Sequence, residues 1–415
     1  MKTLIKDISS LVTVNAGSKS FKTGADMNDI GEIKDGAILF SETIEWVGTA
    51  EEARKKIDNK EIWPDKIIYA KGKTIMPGFV DSHTHIVFAG NRTDEFAMRL
   101  KGATYQEIAE AGGGIKATVK ATRNATVDEL YDNGMMLALS AIKHGTTTLE
   151  IKSGYGLDFQ SEMNQLEAIK RLKETLPVEI KTTFLGAHDF PPEYQDNRDK
   201  YIDIICNEML PAVAGQGLAD YCDAFVDKGY YTVEQGRRIF ETALDLGLKI
   251  RMHADELADV DAAGLAADVG SLSADHLLFV SDKNIEKMKE AGTVACLLPG
   301  TAYFIRMPYA PARNIIDRGA ITAIATDCNP GSCFTENMQT ILSLAAINMK
   351  MTAEECITAA TLNAAHSLEL SEKVGSLEVT KDANFIIADV GSYAGMFYHF
   401  GINHVTETWV KGVKI

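Results

Sequence analysis

Eight short apolar runs alternate with helix-period segments through the middle of this 415-residue chain. Apolar residues recur at helical spacing in segments 127–143, 162–175, 233–246 and 282–291. Capping-box pairs mark three helix starts, at Thr126/Glu129, Thr232/Gln235 and Thr352/Glu355. The apolar runs cover residues 75–81, 146–151, 180–186, 224–227, 248–253, 271–276, 293–298 and 321–327. This strand–helix order predicts a parallel (β/α)8 barrel, which carries its active site at the carboxyl ends of its strands.

A doubly wound open sheet is the main alternative for such an alternating sequence. Dinucleotide-binding sheets of that kind place a Gly-x-Gly-x-x-Gly sequence directly after the first strand. This chain has no such sequence there, and its Gly112-Gly113-Gly114 run follows a helical stretch instead. The barrel is therefore the preferred fold, and a nucleotide site is not expected.

The two ends of the chain differ from its middle. Residues 1–72 and 374–415 contain short strand-like runs between turns and no convincing helical core. Each end alone is too small to bury much surface, and the ends of a domain often lie close together. We therefore expect an α/β fold with two parts. A TIM-like barrel covers residues 73–373, and a small β-sandwich domain is built from both chain ends.

Charge and composition restrict the class of partner. The formal net charge of −16 argues against nucleic acid and anionic membranes, because both need clustered Lys and Arg. A small-molecule substrate fits better. The N-terminus lacks the apolar region of a signal peptide, and no apolar run is long enough to span a membrane, so a cytoplasmic location is expected. Six cysteines without a Cys-x-x-Cys pair are expected to be free, buried thiols.

Polar side chains mark the ends of the predicted strands: His83 and His85 end the first run, His188 follows the third, and His253, His276 and Asp327 end the fifth, sixth and eighth. Alternate residues of a strand share one face, so the first two imidazoles can reach the same metal ion. Histidines scattered through a core would not follow strand ends in this way. The pattern therefore predicts a joint metal site. A structural role is expected for the histidines of helical or terminal segments, which are His144, His366, His399 and His404.

Three neutral nitrogens and one carboxylate make a sensible ligand set for a catalytic divalent ion. We predict that His83, His85, His253 and Asp327 are these ligands. Glu256 follows His253 by three residues. A carboxylate at that position can take a proton from the attacking water and pass it to a leaving nitrogen.

His276 and Lys228 leave two questions open. His276 is predicted to be either a further ligand or a second proton-handling group that stabilises an oxyanion. Lys228 ends the fourth run, near the position where binuclear barrel hydrolases can carry a modified lysine that bridges two metals. We expect a single metal, because Glu256 already supplies the base and a lysine before a glycine is usually a solvated loop residue.

These residues resemble the amidohydrolase superfamily, and more narrowly the imidazolonepropionase family, along nearly the whole chain. The motifs of the first and eighth strands belong to the superfamily at large, whereas those around Tyr155, His188 and Glu256 are more particular. The matching motifs are Pro-Gly-Phe-Val-Asp-Ser-His-Thr-His at 77–85, Gly-Asn-Arg at 90–92, Gly-Gly-Gly-Ile at 112–115, Lys-Ser-Gly-Tyr-Gly at 152–156, Gly-Ala-His at 186–188, Pro-Pro-Glu-Tyr at 191–194, His-Ala-Asp-Glu at 253–256, Ala-Asp-His-Leu at 274–277 and Ala-Thr-Asp-Cys-Asn-Pro-Gly-Ser at 325–332.

The resemblance implies a hydrolase of histidine degradation that uses one divalent ion, zinc or iron. Its members open the ring of 4-imidazolone-5-propanoate with water and give N-formimidoyl-L-glutamate. We hypothesise that the metal and His276 polarise the ring carbonyl while Glu256 and Asp327 carry protons.

The resemblance also implies a substrate-contacting set, which by position is Arg92, Tyr155, His188, Glu256, Asn329, Gly331 and Ser332. A guanidinium suits the propanoate carboxylate, because its fork of donors can bind the carboxylate bidentately. Tyr155 and His188 are expected to hold the planar ring. The turn that contains Asn329 is expected to donate to the ring oxygen or the carboxylate.

The two alternative functions are a deaminase and a non-catalytic scaffold. A deaminase of the same superfamily would release ammonia rather than open a ring, and the anion-binding Arg92 argues against neutral nucleobases. A non-catalytic scaffold would be expected to have lost ligands, and this chain keeps all four with both proton carriers. Zinc and iron are not distinguished, because three imidazoles and a carboxylate suit both. A homodimer is expected for a barrel enzyme of this kind.

Overall fold

Strands and helices alternate along the middle of the chain, as the sequence predicts. The computed structural model describes residues 1–102 and 113–415, so Gly112 of the glycine run lies outside the described residues. The strands are β1 (Thr3–Ile8), β2 (Ser10–Val12), β3 (Glu32–Ile33), β4 (Gly36–Phe40), β5 (Ile44–Thr49), β6 (Lys66–Tyr69), β7 (Thr74–Pro77), β8 (Phe79–Asp81), β9 (Thr146–Lys152), β10 (Glu179–Ala187), β11 (Tyr221–Val226), β12 (Lys249–Ala254), β13 (Ser273–His276), β14 (Val294–Leu297), β15 (Thr322–Ile324), β16 (Phe385–Ala388), β17 (Val405–Val410) and β18 (Val413–Lys414). The α-helices are Ala50–Asp58, Thr93–Leu100, Ile115–Asn124, Val127–Lys143, Phe159–Thr175, Arg198–Ile204, Leu210–Gln216, Val233–Asp245, Ala262–Asp268, Asp282–Ala291, Pro299–Ile305, Ala312–Asp317, Met338–Asn348, Ala353–Ala360, Leu362–Ser367 and Ala394–Tyr398.

The barrel consists of β8 to β15, which form one sheet in chain order. Each strand pairs in parallel with the next. The sheet closes between its ends, where the Asp327 N–H donates to the His83 carbonyl at 3.0 Å and the His85 N–H to the Cys328 carbonyl at 2.9 Å. Every residue of β9 is buried, since helices cover the outside of such a barrel and side chains fill its interior. All eight predicted strand regions are present, and the barrel prediction is confirmed.

The first predicted run, 75–81, forms two strands that belong to different sheets. β7 pairs with β16 and β2, whereas β8 pairs with β9 of the barrel. Gly78 lies between the two strands, and a Cβ at this position would lie 2.2 Å from Cγ2 of Thr147. The chain therefore enters the barrel at a point where only glycine leaves enough room for the neighbouring strand.

Two further sheets contain the chain ends, one with strands from both ends and the other with strands of the N-terminal end alone. One has the order β18-β17-β16-β7-β2-β3 and the other the order β5-β4-β1-β6. In their core, the ring of Phe385 stacks on Trp409 with centroids 5.5 Å apart, and Phe40 meets both rings edge-on. Residues 1–72 also contain the helix Ala50–Asp58, which the sequence analysis did not predict. Only one of its residues, Ala53, is buried, so its apolar pattern is weak.

The three predicted capping boxes are present, and one predicted helix, Val127–Lys143, has the expected bounds. All six cysteines are free and buried, as predicted. His144 ends the helix Val127–Lys143, and His366 lies on the helix Leu362–Ser367, in keeping with structural roles. None of the helices in the described ranges is long and apolar enough to cross a membrane.

Candidate metal centre and substrate site

Three imidazoles and one carboxylate meet at the carboxyl end of the barrel. Nε2 of His83 lies 3.2 Å from Nε2 of His85, and each of these atoms lies 3.5 Å from Oδ1 of Asp327. A ring nitrogen of His253 lies within 4.8 Å of ligand atoms on both His83 and His85. All four side chains are buried. The structure thus brings together the four residues predicted as metal ligands.

The hydrogen bonds behind these rings fit the binding of a divalent cation. Nδ1 of His83 donates to Asp275 at 2.7 Å, and Nδ1 of His253 donates to Asp223 at 2.9 Å. With the proton on Nδ1, the lone pair of Nε2 points into the cluster. Burial lowers the pKa of His83 and of His85 well below the ordinary value, so these rings are neutral. Burial lowers the pKa of His253 as well, but the Asp223 carboxylate outweighs burial and raises it above the ordinary value. A divalent ion requires the neutral form of all three rings, so its binding competes with the proton on His253.

Glu256 and His276 lie side by side next to the cluster. Oε1 of Glu256 is 3.7 Å from Nδ1 of His276, and both side chains are buried. Burial, followed by the nearby Asp327 carboxylate, raises the pKa of Glu256 to about 8. A ring nitrogen of His276 also lies within 4.8 Å of ligand atoms on His83 and Asp327. Both roles predicted for His276 are compatible with this position.

Two residues of the site have a strained backbone. The φ angle is 81° at His276 and 51° at Asp327. Left-handed conformations at residues other than glycine cost roughly 1–3 kcal/mol each and concentrate at functional sites. The Thr301 hydroxyl donates to Oδ2 of Asp327 and holds the carboxylate in place. Thr301 is not among the predicted site residues, although a hydroxyl in the helix that follows the seventh barrel strand is a usable signal.

Tyr155 and His188 form a surface of aromatic rings beside the ligands. The ring of His188 stacks on His85 with centroids 5.1 Å apart, and Tyr155 lies 5.3 Å from His188. Nδ1 of His188 donates to the Gly154 carbonyl at 2.9 Å, which leaves Nε2 as an acceptor. Burial, followed by the charge on His253, lowers the pKa of His188 to about 3. The two rings predicted to hold a planar substrate are therefore adjacent, and His188 is neutral.

Asn329 organises the turn that follows Asp327. Its Nδ2 donates to the Asp327 carbonyl at 2.7 Å and to Oγ of Ser332 at 2.9 Å. Its Oδ1 accepts the N–H groups of Gly331 at 2.8 Å and of Ser332 at 2.7 Å. The three predicted turn residues thus lie together next to a proposed ligand, and their contact with the substrate stays a prediction.

Arg92 packs against this turn. A Cβ at Gly331 would lie 2.3 Å from Nη1 of Arg92, so glycine is what allows the guanidinium to approach. Nε of Arg92 donates to the Thr118 hydroxyl at 2.9 Å. Within residues 1–102 and 113–415, no carboxylate pairs with Arg92. Among these described residues, its two terminal nitrogens face no carboxylate, an arrangement that suits an anionic ligand.

The buried lysine of the barrel is Lys152 rather than Lys228. Lys228 is exposed after β11, as expected for a loop lysine. Lys152 is fully buried at the end of β9, with Nζ 2.9 Å from both Oε1 of Glu150 and Oδ2 of Asp223. Burial alone lowers the pKa of Lys152, but these carboxylates outweigh burial and raise it above the ordinary value. This pairing was not predicted, although Glu150-x-Lys152 on a buried strand directs two charges into the barrel.

The position of Glu256 also depends on a residue that the sequence analysis did not identify. Asp227 follows β11, and its Oδ2 accepts the backbone N–H groups of Glu256 at 2.7 Å and Leu257 at 2.8 Å. A carboxylate that accepts two backbone donors fixes the start of a loop. The backbone at Glu256 is therefore held by a neighbouring strand end.

Similarity to known proteins covers the whole of this arrangement. A model of the amidohydrolase family matches residues 74–415. The imidazolonepropionases of Brevibacillus brevis and Alkaliphilus metalliredigens are 47% and 44% identical to this chain, over 99% of it and over 97% and 96% of their own lengths. A solved adenosine deaminase from Xanthomonas campestris with bound zinc has a TM-score of 0.72 at 18% identity, covering 99% of this chain and 92% of its own. A triazine hydrolase variant has a TM-score of 0.73 at 16% identity, covering 100% and 94%.

The two solved structures are too distant in sequence to inform more than the fold. The relatives at 47% and 44% identity are matched from end to end, and the family model covers the whole barrel. The chain therefore belongs to the amidohydrolase family and, within it, to the imidazolonepropionases.

Proposed function

We propose that this chain hydrolyses the ring amide of 4-imidazolone-5-propanoate and gives N-formimidoyl-L-glutamate, a step of histidine degradation. It is a hydrolase that acts on a carbon–nitrogen bond of a cyclic amide. The main support for the proposal is the 47% identity to an imidazolonepropionase over 99% of the chain. The buried cluster of His83, His85, His253 and Asp327 at the mouth of the barrel supports it.

One divalent ion, zinc or iron, is proposed for this cluster, with those four residues as its ligands. When bound, the ion supplies a Lewis acid that polarises a carbonyl group and lowers the pKa of water. Imidazole nitrogens and a carboxylate oxygen suit both metals. His276 is proposed either as a further ligand or as a catalytic group, and its distance from Glu256 is compatible with both.

Substrate binding is proposed to use both ends of the molecule. The Arg92 guanidinium binds the propanoate carboxylate through two parallel hydrogen bonds. Tyr155 and His188 hold the ring, and Nε2 of His188 accepts a hydrogen bond from a ring N–H. The turn of Asn329, Gly331 and Ser332 closes the site next to Arg92. In this proposal, the amide carbonyl faces Glu256 and His276.

Proton transfer is proposed to run through Glu256. As the oxygen of a water molecule bonds to the carbonyl carbon, Glu256 accepts the proton that water loses. The ring carbon–nitrogen bond then breaks, and Glu256 passes this proton to the departing nitrogen. Asp327 is proposed to carry protons as well. A group that both accepts and donates works best with a pKa near the working pH, and burial raises the pKa of Glu256 to about 8. His276 stabilises the negative charge on the carbonyl oxygen.

Incubation of the purified protein with 4-imidazolone-5-propanoate tests this function. We expect the ultraviolet absorbance of the ring to decay and N-formimidoyl-L-glutamate to be detected by mass spectrometry, with elemental analysis identifying the metal. Release of ammonia without ring opening would instead indicate a deaminase. Failure of the metal-loaded protein to consume the substrate would overturn the proposal.

A cytoplasmic homodimer is also proposed for the intact protein. Exposed apolar side chains near the C-terminus, at Tyr398, Phe400 and Ile402, offer a surface for contact between subunits. Light scattering coupled to size-exclusion chromatography measures the mass directly. A mass near 45.2 kDa, that of one chain, would contradict the dimer.

A further inference from the structure

The loop that carries Tyr155 is held by two charged side chains that the proposed mechanism does not use. This loop, residues 153–157, connects β9 to the helix Phe159–Thr175. Glu162 lies in the first turn of that helix and is fully buried. Arg123 lies in the last turn of the helix Ile115–Asn124.

Glu162 accepts the backbone N–H groups of the loop. Its Oε1 accepts from Gly156 at 2.8 Å and from Leu157 at 2.9 Å, and its Oε2 accepts from Gly154 at 3.1 Å. These donors lie on both sides of Tyr155. One carboxylate therefore fixes the peptide groups that precede and follow this residue.

Arg123 donates to the carbonyl groups of the same loop. Its Nε donates to Gly156 at 2.7 Å, and its Nη2 donates to Leu157 at 3.0 Å. Ion pairs with Asp158 at 2.9 Å and Glu193 at 2.8 Å hold the guanidinium in place. The backbone N–H groups of the loop thus bind the carboxylate of Glu162, and its carbonyl groups bind the guanidinium of Arg123. Hydrogen bonds to charged groups are stronger than those between neutral groups.

The loop in turn determines how the two aromatic residues are presented. The carbonyl of Gly154 accepts the Nδ1–H of His188, which sets the tautomer of that ring. Glu162 accepts the N–H of the same Gly154. The backbone N–H of Tyr155 donates to Gln165, also on the helix Phe159–Thr175. A rotation of these peptide groups would release His188 and shift Tyr155 together.

We propose that Glu162 and Arg123 are positioning residues for the substrate ring, which act by fixing loop 153–157 and through it Tyr155 and His188. This inference rests on the proposed function and deepens it. Within the described residues, neither side chain hydrogen-bonds to a proposed metal ligand. Their replacement therefore alters binding of the ring and leaves the metal content unchanged.

Steady-state kinetics with 4-imidazolone-5-propanoate test the inference. Glu162→Gln keeps the size of the side chain but places an amide NH2 group opposite backbone N–H groups of the loop. Two donors then face each other, and a hydrogen bond is lost. Arg123→Met removes both donors to the loop, and the arginine is partly exposed, so this variant tests the inference even if Glu162→Gln does not fold. For each variant we expect KM to rise about 10- to 100-fold, with a smaller change in kcat and an unchanged metal content.

A second buried pair supplies matched controls. Glu355 is a buried carboxylate in the first turn of the helix Ala353–Ala360, and it pairs with the partly exposed Arg313 at 2.8 Å. Glu355→Gln and Arg313→Met are expected to lower Tm and to keep the KM of the unsubstituted protein. A KM for the Glu162 and Arg123 variants that is no higher than in these controls would overturn the inference.

The proposed function is tested by the activity of the unsubstituted protein, separately from the variants. Turnover by the unsubstituted protein supports that function whatever the variants do. If the unsubstituted protein does not turn the substrate over, the proposed function fails. The inference is then decided by the Kd of imidazole-4-propanoate, which keeps a ring and a carboxylate but has no amide to hydrolyse. Weaker binding to the Glu162 and Arg123 variants than to the controls supports it, and equal binding overturns it.

Discussion

The backbone N–H of Asp327 donates to the carbonyl oxygen of His83 at 3.0 Å, so the hydrogen bond that closes the barrel joins the last proposed ligand to the first. The next bond across this seam runs from the His85 N–H to the Cys328 carbonyl at 2.9 Å. Three of the four proposed ligands are therefore fixed by hydrogen bonds between the segments that directly follow β8 and β15. Groups on a rigid scaffold are held more accurately than groups on loops, so the ligand set is preorganised for a cation.

Removal of the metal is expected to lower Tm. A ligand that binds only the folded state stabilises it by about 2.7 kcal/mol at one hundred times its Kd, and this contribution is lost on chelation. Differential scanning calorimetry before and after dialysis against a chelator measures the change, and zinc or ferrous iron is expected to reverse it. His85→Gln, which weakens the site, is the control and is expected to respond less. An equal Tm with and without chelator would contradict the prediction.

Replacement of Glu256 by glutamine is expected to lower kcat by about 10²- to 10⁴-fold, the usual contribution of general acid–base catalysis. The amide keeps the shape of the side chain, and the local backbone N–H groups still donate to Asp227, so metal content is expected to be normal. Turnover and elemental analysis of the same sample check both statements. Glu241→Gln, at an exposed position, is the matched control. Near-normal turnover with bound metal would remove Glu256 from its proposed role.

Replacement of Arg92 by methionine is expected to raise KM. Hydrogen bonds to charged groups contribute about 1.5–3 kcal/mol each, and every 1.4 kcal/mol is about tenfold in binding. Thr118→Val is expected to raise KM less, because the Thr118 hydroxyl only orients Nε of Arg92. Thr118→Ser keeps the hydroxyl and serves as the control. Equal KM values for the two Thr118 variants would show that the hydroxyl does not position the guanidinium.

The proposed ligands could be predicted from the sequence because each lies at the end of an apolar run. In a parallel barrel these ends share one face, so residues as distant as His83 and Asp327 are expected to meet there. Neighbouring strands of the barrel are also neighbours in the chain, so their order could be predicted without knowing which residues are in contact. The turn of Asn329 and the place of Arg92 came from the resemblance to a family, since no periodic pattern marks them.

The supporting residues could not be predicted in the same way. Asp223 and Asp275 hold two of the ligand rings, and Thr301 holds Asp327, but their partners are remote in sequence. A hydrogen bond between two strands depends on register and rotamer, which the order of apolar and polar residues does not encode. Arg123 was missed for the same reason, since its partner Gly156 lies 33 residues further along the chain. Glu162 is close in sequence to the loop it binds, but a carboxylate that accepts backbone N–H groups leaves no periodic pattern.

Replacement of Lys152 by methionine is expected to lower the free energy of unfolding by about 3–5 kcal/mol, because it leaves buried carboxylates without their shared cation. Glu150 and Asp223 both lie 2.9 Å from Nζ of Lys152. Lys228→Met removes an exposed lysine and is expected to stay within about 0.5 kcal/mol of the unsubstituted protein. Urea denaturation measures both variants. Equal losses at the two positions would show that the buried ammonium is not required for stability.

His188 is expected to make no contribution to the acid limb of the pH profile. Burial, followed by the charge on His253, lowers the pKa of His188 to about 3, so the ring stays neutral over the range of ordinary assays. We expect kcat/KM of His188→Asn to fall at the same acidic pH as in the unsubstituted protein, while its KM is higher. Kinetics at several pH values check this, and an acid limb that moves in the variant would contradict it.

The same lowered pKa makes the stability of the protein depend on pH. The unfolded chain binds a proton at His188 near the ordinary pKa of about 6.5, whereas the folded chain does not, so stability is lost as the pH falls below that value. One such group contributes up to about 1.4 kcal/mol per pH unit. The free energy of unfolding of His188→Asn is therefore expected to fall less steeply than that of the unsubstituted protein between about pH 6.5 and about pH 5. Urea denaturation across this range measures the two slopes, and equal slopes would mean that His188 takes up its proton in the folded state.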